Sequence, residues 1–145
     1  MFTLDKLTDI TKLSISEIKT VATLCGINLS NSPGLDSIYE DSAVTIAVYA
    51  CLKQSGLDTA HCHLIIKYVY PAICSYFDLE PNARQNMAVL IADGTYCATS
   101  LDLIPMNFKE AYVYHEEEAK LLPQPMVSTF YSIDRIYELL RDETM

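Results

Sequence analysis

The stretch "DSAVTIAVYACLKQSG", residues 41–56, decides how this chain folds. Between Ala43 and Leu52 the only polar side chain is Thr45, so a helix formed here is apolar on nearly every face. Surface helices carry an apolar stripe opposed by a polar one; a helix apolar all round belongs in the middle of a core or inside a subunit interface. Asp41 or Ser42 can accept from the first free backbone N–H groups, and Gly56 can end the helix. The reading predicts a helix over about 42–55 that forms the spine of the fold. The same apolar character makes Val44, Val48 and Tyr49 candidates for a protein interface.

On the N-terminal side, "SISEIKTVATLCG" (residues 14–26) reads as a helix. Ser14 or Ser16 can cap it, Ile18, Val21, Ala22 and Cys25 recur at helical spacing, and Gly26 stops it. The following "INLSNSPGLDS" is rich in Asn, Ser, Pro and Gly and reads as a loop.

On the C-terminal side, a third helix is predicted from a cap at Asp58 or Thr59 to about Tyr70. Pro71 disfavours helix at the residue before it and suits a first helical position, so "PAICSYFDL" is expected to start a new or kinked helix. The "HCH" at 61–63 invites a metal reading, but successive helical residues turn by about 100°, so His61 and His63 point about 200° apart. An i, i+4 ligand pair would need Ile65 or Lys67 to serve. The expectation is a helix turn, with Cys62 inward beside Ile65, Ile66 and Val69, one histidine exposed and the other hydrogen-bonded at the core margin.

Past residue 80 the pattern changes. "MAVLIA" and "TYCATS" flank Asp93-Gly94, a hairpin signal, and "AYVYHE" (111–116) and "VSTFYS" read as further strands. "SIDRIYELLRDE" closes the chain as a helix with Ser132 as cap and Ile133, Ile136, Tyr137 and Leu140 on one face. Tyr112, Tyr114, Ile136 and Tyr137 join the interface candidates, because tyrosine suits surfaces that are apolar at one end and wet at the other.

Half of the 145 residues are hydrophobic and a fifth are charged, a composition of an ordered globular chain. The longest apolar run, 43–52, is well short of the roughly 20 residues that span a bilayer, and the N-terminus lacks the basic and apolar regions of a signal peptide. A cytoplasmic protein without membrane contact is expected. The five cysteines (25, 51, 62, 74 and 97) are odd in number and contain no CxxC, which favours buried free thiols.

The net charge is −9. Residues 1–56 contribute −2, residues 57–100 −2 and residues 101–145 −5, so no block is basic. DNA-binding chains need cationic surface to neutralise phosphates. No P-loop, GxGxxG, GxSxG or HExxH occurs, and four glycines leave little for a phosphate cradle. Cys97 with His115 lacks an orienting partner motif, while Asp78/Glu80 and Glu116–Glu118 sit in polar segments that suit solvation. No catalytic, metal-binding or cofactor-binding residue is predicted, and no cofactor.

The segment "EIKTVATLCGI" resembles the first helix and turn of a bacterial helix-turn-helix, with Val21 and Ala22 inward, Gly26 making the turn and Ile27 beneath it. "YEDSAVTIAVYACLKQSGLDTAHCHLII" is similar to the helix pair that follows the wing in mercury-resistance-type (MerR-like) winged-helix regulators. The matching positions are Tyr39, Asp41, Val44 to Leu52, Gly56, Leu57 and Asp58. The likeness covers about residues 14–70. It departs from the family where a recognition helix should follow Gly26: the apolar position falls on Ser32, and Pro33-Gly34 break a helix. The wing arginine is also missing, in "LDSIY".

The predicted architecture is therefore α+β. A helical, degenerate helix-turn-helix-like region (1–80) is followed by a small antiparallel sheet and a C-terminal helix (81–145), packed as one domain. The predicted function is a non-enzymatic regulatory or protein-interaction module that self-associates as a homodimer and binds a protein partner; the acidic 101–145 region would suit a basic one. One alternative is a DNA-binding regulator of helix-turn-helix type, contacting DNA through Lys12 and Lys19. Another is an acidic inhibitor imitating nucleic acid, with "HEEE" (115–118) as its patch.

Overall fold

The computed structural model describes residues 2–29, 37–84, 87–92, 95–100 and 128–144. Its elements are β1 (Phe2–Thr3), α1 (Leu4–Thr11), α2 (Ile15–Cys25), β2 (Ser37–Ile38), α3 (Glu40–Gln54), α4 (Thr59–Asp78), β3 (Met87–Ala92), β4 (Thr95–Ser100), β5 (Ser128–Ser132) and α5 (Ile133–Thr144). A 3₁₀ turn, Pro81–Ala83, follows α4. The chain divides into two compact units. One comprises Met1–Arg84 with Arg135–Met145; the other is Gln85–Asp134.

The helical unit is built around α3, whose Ser42 to Ala50 are all buried, along with Leu52. It starts two residues before the predicted boundary, with Tyr39 in the cap position and no side-chain cap bond. Asp41 instead accepts from the Ser42 N–H at 2.7 Å. Thr45, the one polar residue between Ala43 and Leu52, is fully buried, and its hydroxyl donates to the Asp41 carbonyl at 2.7 Å. A buried hydroxyl left unpaired would cost 1–3 kcal/mol, on the order of a tenth or more of a domain's stability. α4 packs along α3 as the most extensive helix pair, and α2 lies against both.

α2 forms where its sequence directs. Ser14 Oγ accepts from the Glu17 N–H, and the Glu17 carboxylate accepts from the Ser14 N–H, a reciprocal capping box. Gly26 ends the helix at φ 71°, a left-handed conformation that glycine adopts without a Cβ penalty. Ile27 N–H then donates to the Ala22 carbonyl at 2.8 Å.

Two features depart from the sequence reading. α1 was not among the predicted helices; Thr3 caps it by accepting from the Lys6 N–H, Leu7 is its fully buried anchor, and β1 pairs antiparallel with β2 through Phe2 and Ile38. α4 is one uninterrupted 20-residue helix with Pro71 inside it, where a break was expected. Pro71 is exposed, so its ring faces water rather than the core.

In the second unit the backbone pairing is described. β3 runs antiparallel to β4, with Met87 opposite Ser100 and Ala92 opposite Thr95. β5 lies on the other side of β3, with Leu90 opposite Phe130. The expected third strand at 111–116, the turn at Asp93-Gly94, the 30–36 loop with Ser32, Pro33 and Gly34, His115 and the "HEEE" patch lie outside the described residues.

The α+β class expected for the chain is corrected. Where both backbone and side chains are described, 78% of the residues are helical, in five helices, with one short strand pair. Two features were not expected: the extra helix at the N-terminus and the continuity of α4 through Pro71. Most of α5, from Arg135 onward, belongs to the helical unit. The fold is a mainly helical one.

Candidate functional site

The residues nominated from sequence for an interface separate sharply. Val44, Val48 and Tyr49 are 0%, 0% and 2% exposed, so they fill the core and offer no surface to another molecule. That expectation is corrected: an all-apolar helix fits a core or an interface equally well, and this one is core. Ile136 and Tyr137 are half-buried on α5. The Tyr137 hydroxyl donates to the Glu40 carboxylate at 2.6 Å, and its ring meets the edge of Phe77 at a centroid distance of 5.2 Å. Tyr112 and Tyr114 lie outside the described residues.

Lys12 ends α1 in a left-handed conformation, exposed, with its ammonium 3.8 Å from the Asp9 carboxylate. Lys19 stands on the outer face of α2, in a shallow groove lined there by Ile15, Ser16, Thr20, Thr23 and Leu24.

The "HCH" turn resolves into three environments. His61 is exposed and its Nδ1–H donates to Asp58, the residue that caps α4 through the His61 N–H. Cys62 is fully buried with Ile65, Ile66 and Val69. His63 is half-buried, with Nε2 hydrogen-bonded to the Tyr49 hydroxyl at 3.3 Å and its ring stacked on the tyrosine at 5.6 Å. Lys53 lies 6.0 Å from the centre of the Tyr49 ring and forms an ion pair with Glu17 that ties α3 to α2. Lys53 and the Ser14 N–H hold the Glu17 carboxyl below its ordinary value. Among the described residues no three His, Cys, Asp or Glu side chains gather as a metal site.

The four described thiols are not activated. Burial, with a smaller contribution from Cys74, pushes the Cys25 thiol up to about 11, and burial raises Cys51, Cys62 and Cys74 as well. Nucleophilic cysteines need the opposite shift, toward the thiolate. For Cys74 the burial effect comes first; a hydrogen bond with Tyr70 works against it, and the neighbouring Asp41 adds to it.

What the helical unit does present is the outer face of α4. Leu64 and Tyr68 are 58% and 57% exposed. Four residues apart, they stand about 40° apart around the helix and about 6 Å along it, so they form one apolar stripe. His61, Lys67, Pro71 and Ser75 are the exposed neighbours, and the only carboxylates are Asp58 and Asp78 at the two ends. On a chain of net charge −9, α4's own side chains along this face include no carboxylate between Asp58 and Asp78. The sequence carried a signal for it: Leu64 and Tyr68 fall outside the inward set Cys62, Ile65, Ile66 and Val69, and are too apolar for a face meant only for water.

No described helix is long and apolar enough to cross a membrane. The chain matches no protein-family model, and no curated protein is significantly similar to it in sequence.

Proposed function

We propose that this chain is a non-enzymatic protein-interaction module with a regulatory role, and that it associates with a second copy of itself through the outer face of α4. The exposed pair Leu64 and Tyr68 carries the reading. A large apolar side chain alone on a surface is ordinary; two adjacent ones on one stripe of a long helix favour an interface. A second copy suits this face because two such faces can approach without setting carboxylates against each other, which the rest of a −9 chain would do. The raised thiols support a non-enzymatic role. The regulatory half of the proposal rests on the likeness of residues 14–70 to mercury-resistance-type regulators. Among the nominated DNA contacts, the charge of Lys12 is offset by Asp9, which gives the DNA-binding reading less support.

Sedimentation velocity over a concentration series tests it. The wild-type chain is expected to move from single-chain toward double mass as concentration rises, and Leu64→Glu to remain at single-chain mass with an unchanged circular dichroism spectrum. Wild-type protein that stays a single chain throughout, or a Leu64→Glu variant that associates as well as wild type, overturns it.

A further inference from the structure

The helical unit is discontinuous in sequence: the chain leaves it after Arg84 and returns at Arg135. The two junctions are fastened to the same side chain. On the leaving side, the Arg84 guanidinium lies 4.9 Å from the centre of the Phe77 ring and 5.5 Å from that of Tyr76. It also donates through Nε to the Leu79 carbonyl and through Nη2 to the Phe77 carbonyl, both at 3.1 Å, which satisfies carbonyls that the end of α4 would leave open. On the returning side, the Tyr137 ring packs edge-on against Phe77, and its hydroxyl reaches across to Glu40 at the start of α3. Arg141, one turn further along α5, lies 5.5 Å from the Tyr137 ring.

We propose that Phe77 is a clasp that holds the exit and the return of the chain together, making α5 a part of the helical unit's cooperative structure and residues 85–134 an insertion between two fixed ends. The consequence is a conformational one: α5 stays latched to α3 and α4 and opens with them. Packing of both junction side chains on one ring makes the latch depend on Phe77 more than on chain continuity. The Tyr137–Glu40 bond ties it to the spine of the fold. The Arg84 contact and the edge-to-face contact with Tyr137 are each worth a modest amount alone, and they act together only while the Phe77 ring between them is present.

Hydrogen exchange followed by mass spectrometry on the intact full-length chain tests the clasp. The amides of α5 are expected to exchange together with those of α3 and α4, and more slowly than those of residues 87–100. Tyr137→Phe keeps the ring and removes the bond to Glu40, and is expected to speed exchange in α5 by about fivefold, the effect of one ordinary hydrogen bond. Phe77→Leu retains an apolar side chain in place of the ring and is expected to speed it by about tenfold or more through loss of the aromatic contacts. Exchange of α5 in step with residues 87–100 rather than with α3 and α4 overturns the proposal. So does α5 protection that neither variant changes.

Discussion

Pro71→Ala distinguishes an unbroken α4 from a pair of helices meeting at Pro71. Pro71 is the thirteenth residue of a 20-residue helix and its side chain is exposed, so the substitution removes no core contact. In a helix interior proline is less favourable than alanine by about 3 kcal/mol, through the missing N–H bond to the carbonyl four residues back and the clash of the ring with it. Two effects reduce the gain. The unbonded carbonyl belongs to Lys67, an exposed residue where water can compete for it, and alanine restores some conformational freedom to the unfolded chain, at a cost of about 0.4–1 kcal/mol. A net stabilisation of about 2 kcal/mol is expected, equivalent to a rise in Tm of about 4–8 °C for a chain of this size. Urea denaturation followed by circular dichroism at 222 nm gives the difference directly, with the slope of the transition as a check that the unfolded state is unchanged. If a new helix began at Pro71, proline would occupy a first-turn position where its missing N–H costs nothing. A variant of unchanged or reduced stability would refute the continuous helix.

Three further outcomes follow from the structure. Ser14→Ala removes one side of the capping box of α2 and is expected to destabilise the protein by about 1 kcal/mol, read as a lower urea midpoint at constant slope. Glu17 has a lowered folded-state value because Lys53 and the Ser14 N–H bond its carboxylate, so its contribution is present above the ordinary value of 4.5 and lost as pH falls through the lower folded one. Both side chains are about a third exposed, at 34% and 35%, which keeps the effect small; Lys53→Met should flatten the acid limb of the stability–pH curve and leave the region near neutrality little changed. Cys25, pushed up to about 11, should react with iodoacetamide at pH 8 about 100-fold more slowly than an ordinary thiol, measured by mass spectrometry on the native protein.

The sequence was most legible where local chemistry acts alone. Ser14, Glu17 and Gly26 place both ends of α2, and Asp58 places the start of α4, because caps bond within a few residues of themselves. Reading failed where the rest of the fold decides. α3 begins at Glu40 behind Tyr39, which has no capping side chain, so nothing local marks its start. α1 is only eight residues long, and a helix that short is held by the burial of Leu7 and Thr11 in the unit, a contact absent from local pattern. Pro71 was read as a break because propensity alone forbids it; Val69 and Ile73, both buried on its flanks, hold the helix through. For the candidate site, apolar periodicity could not say whether Val44, Val48 and Tyr49 faced the core or a partner. The stripe of Leu64 and Tyr68 was visible in sequence only as two residues left over once the inward face of α4 had been assigned.

Hydroxyl-radical footprinting of the wild-type chain at low and high concentration tests the proposed self-association at the side chain that would carry it. Tyr68, 57% exposed on α4, should lose oxidation as concentration rises, while Tyr39, 71% exposed at the start of α3, should be oxidised equally throughout. Equal oxidation of Tyr68 at both concentrations would contradict the account.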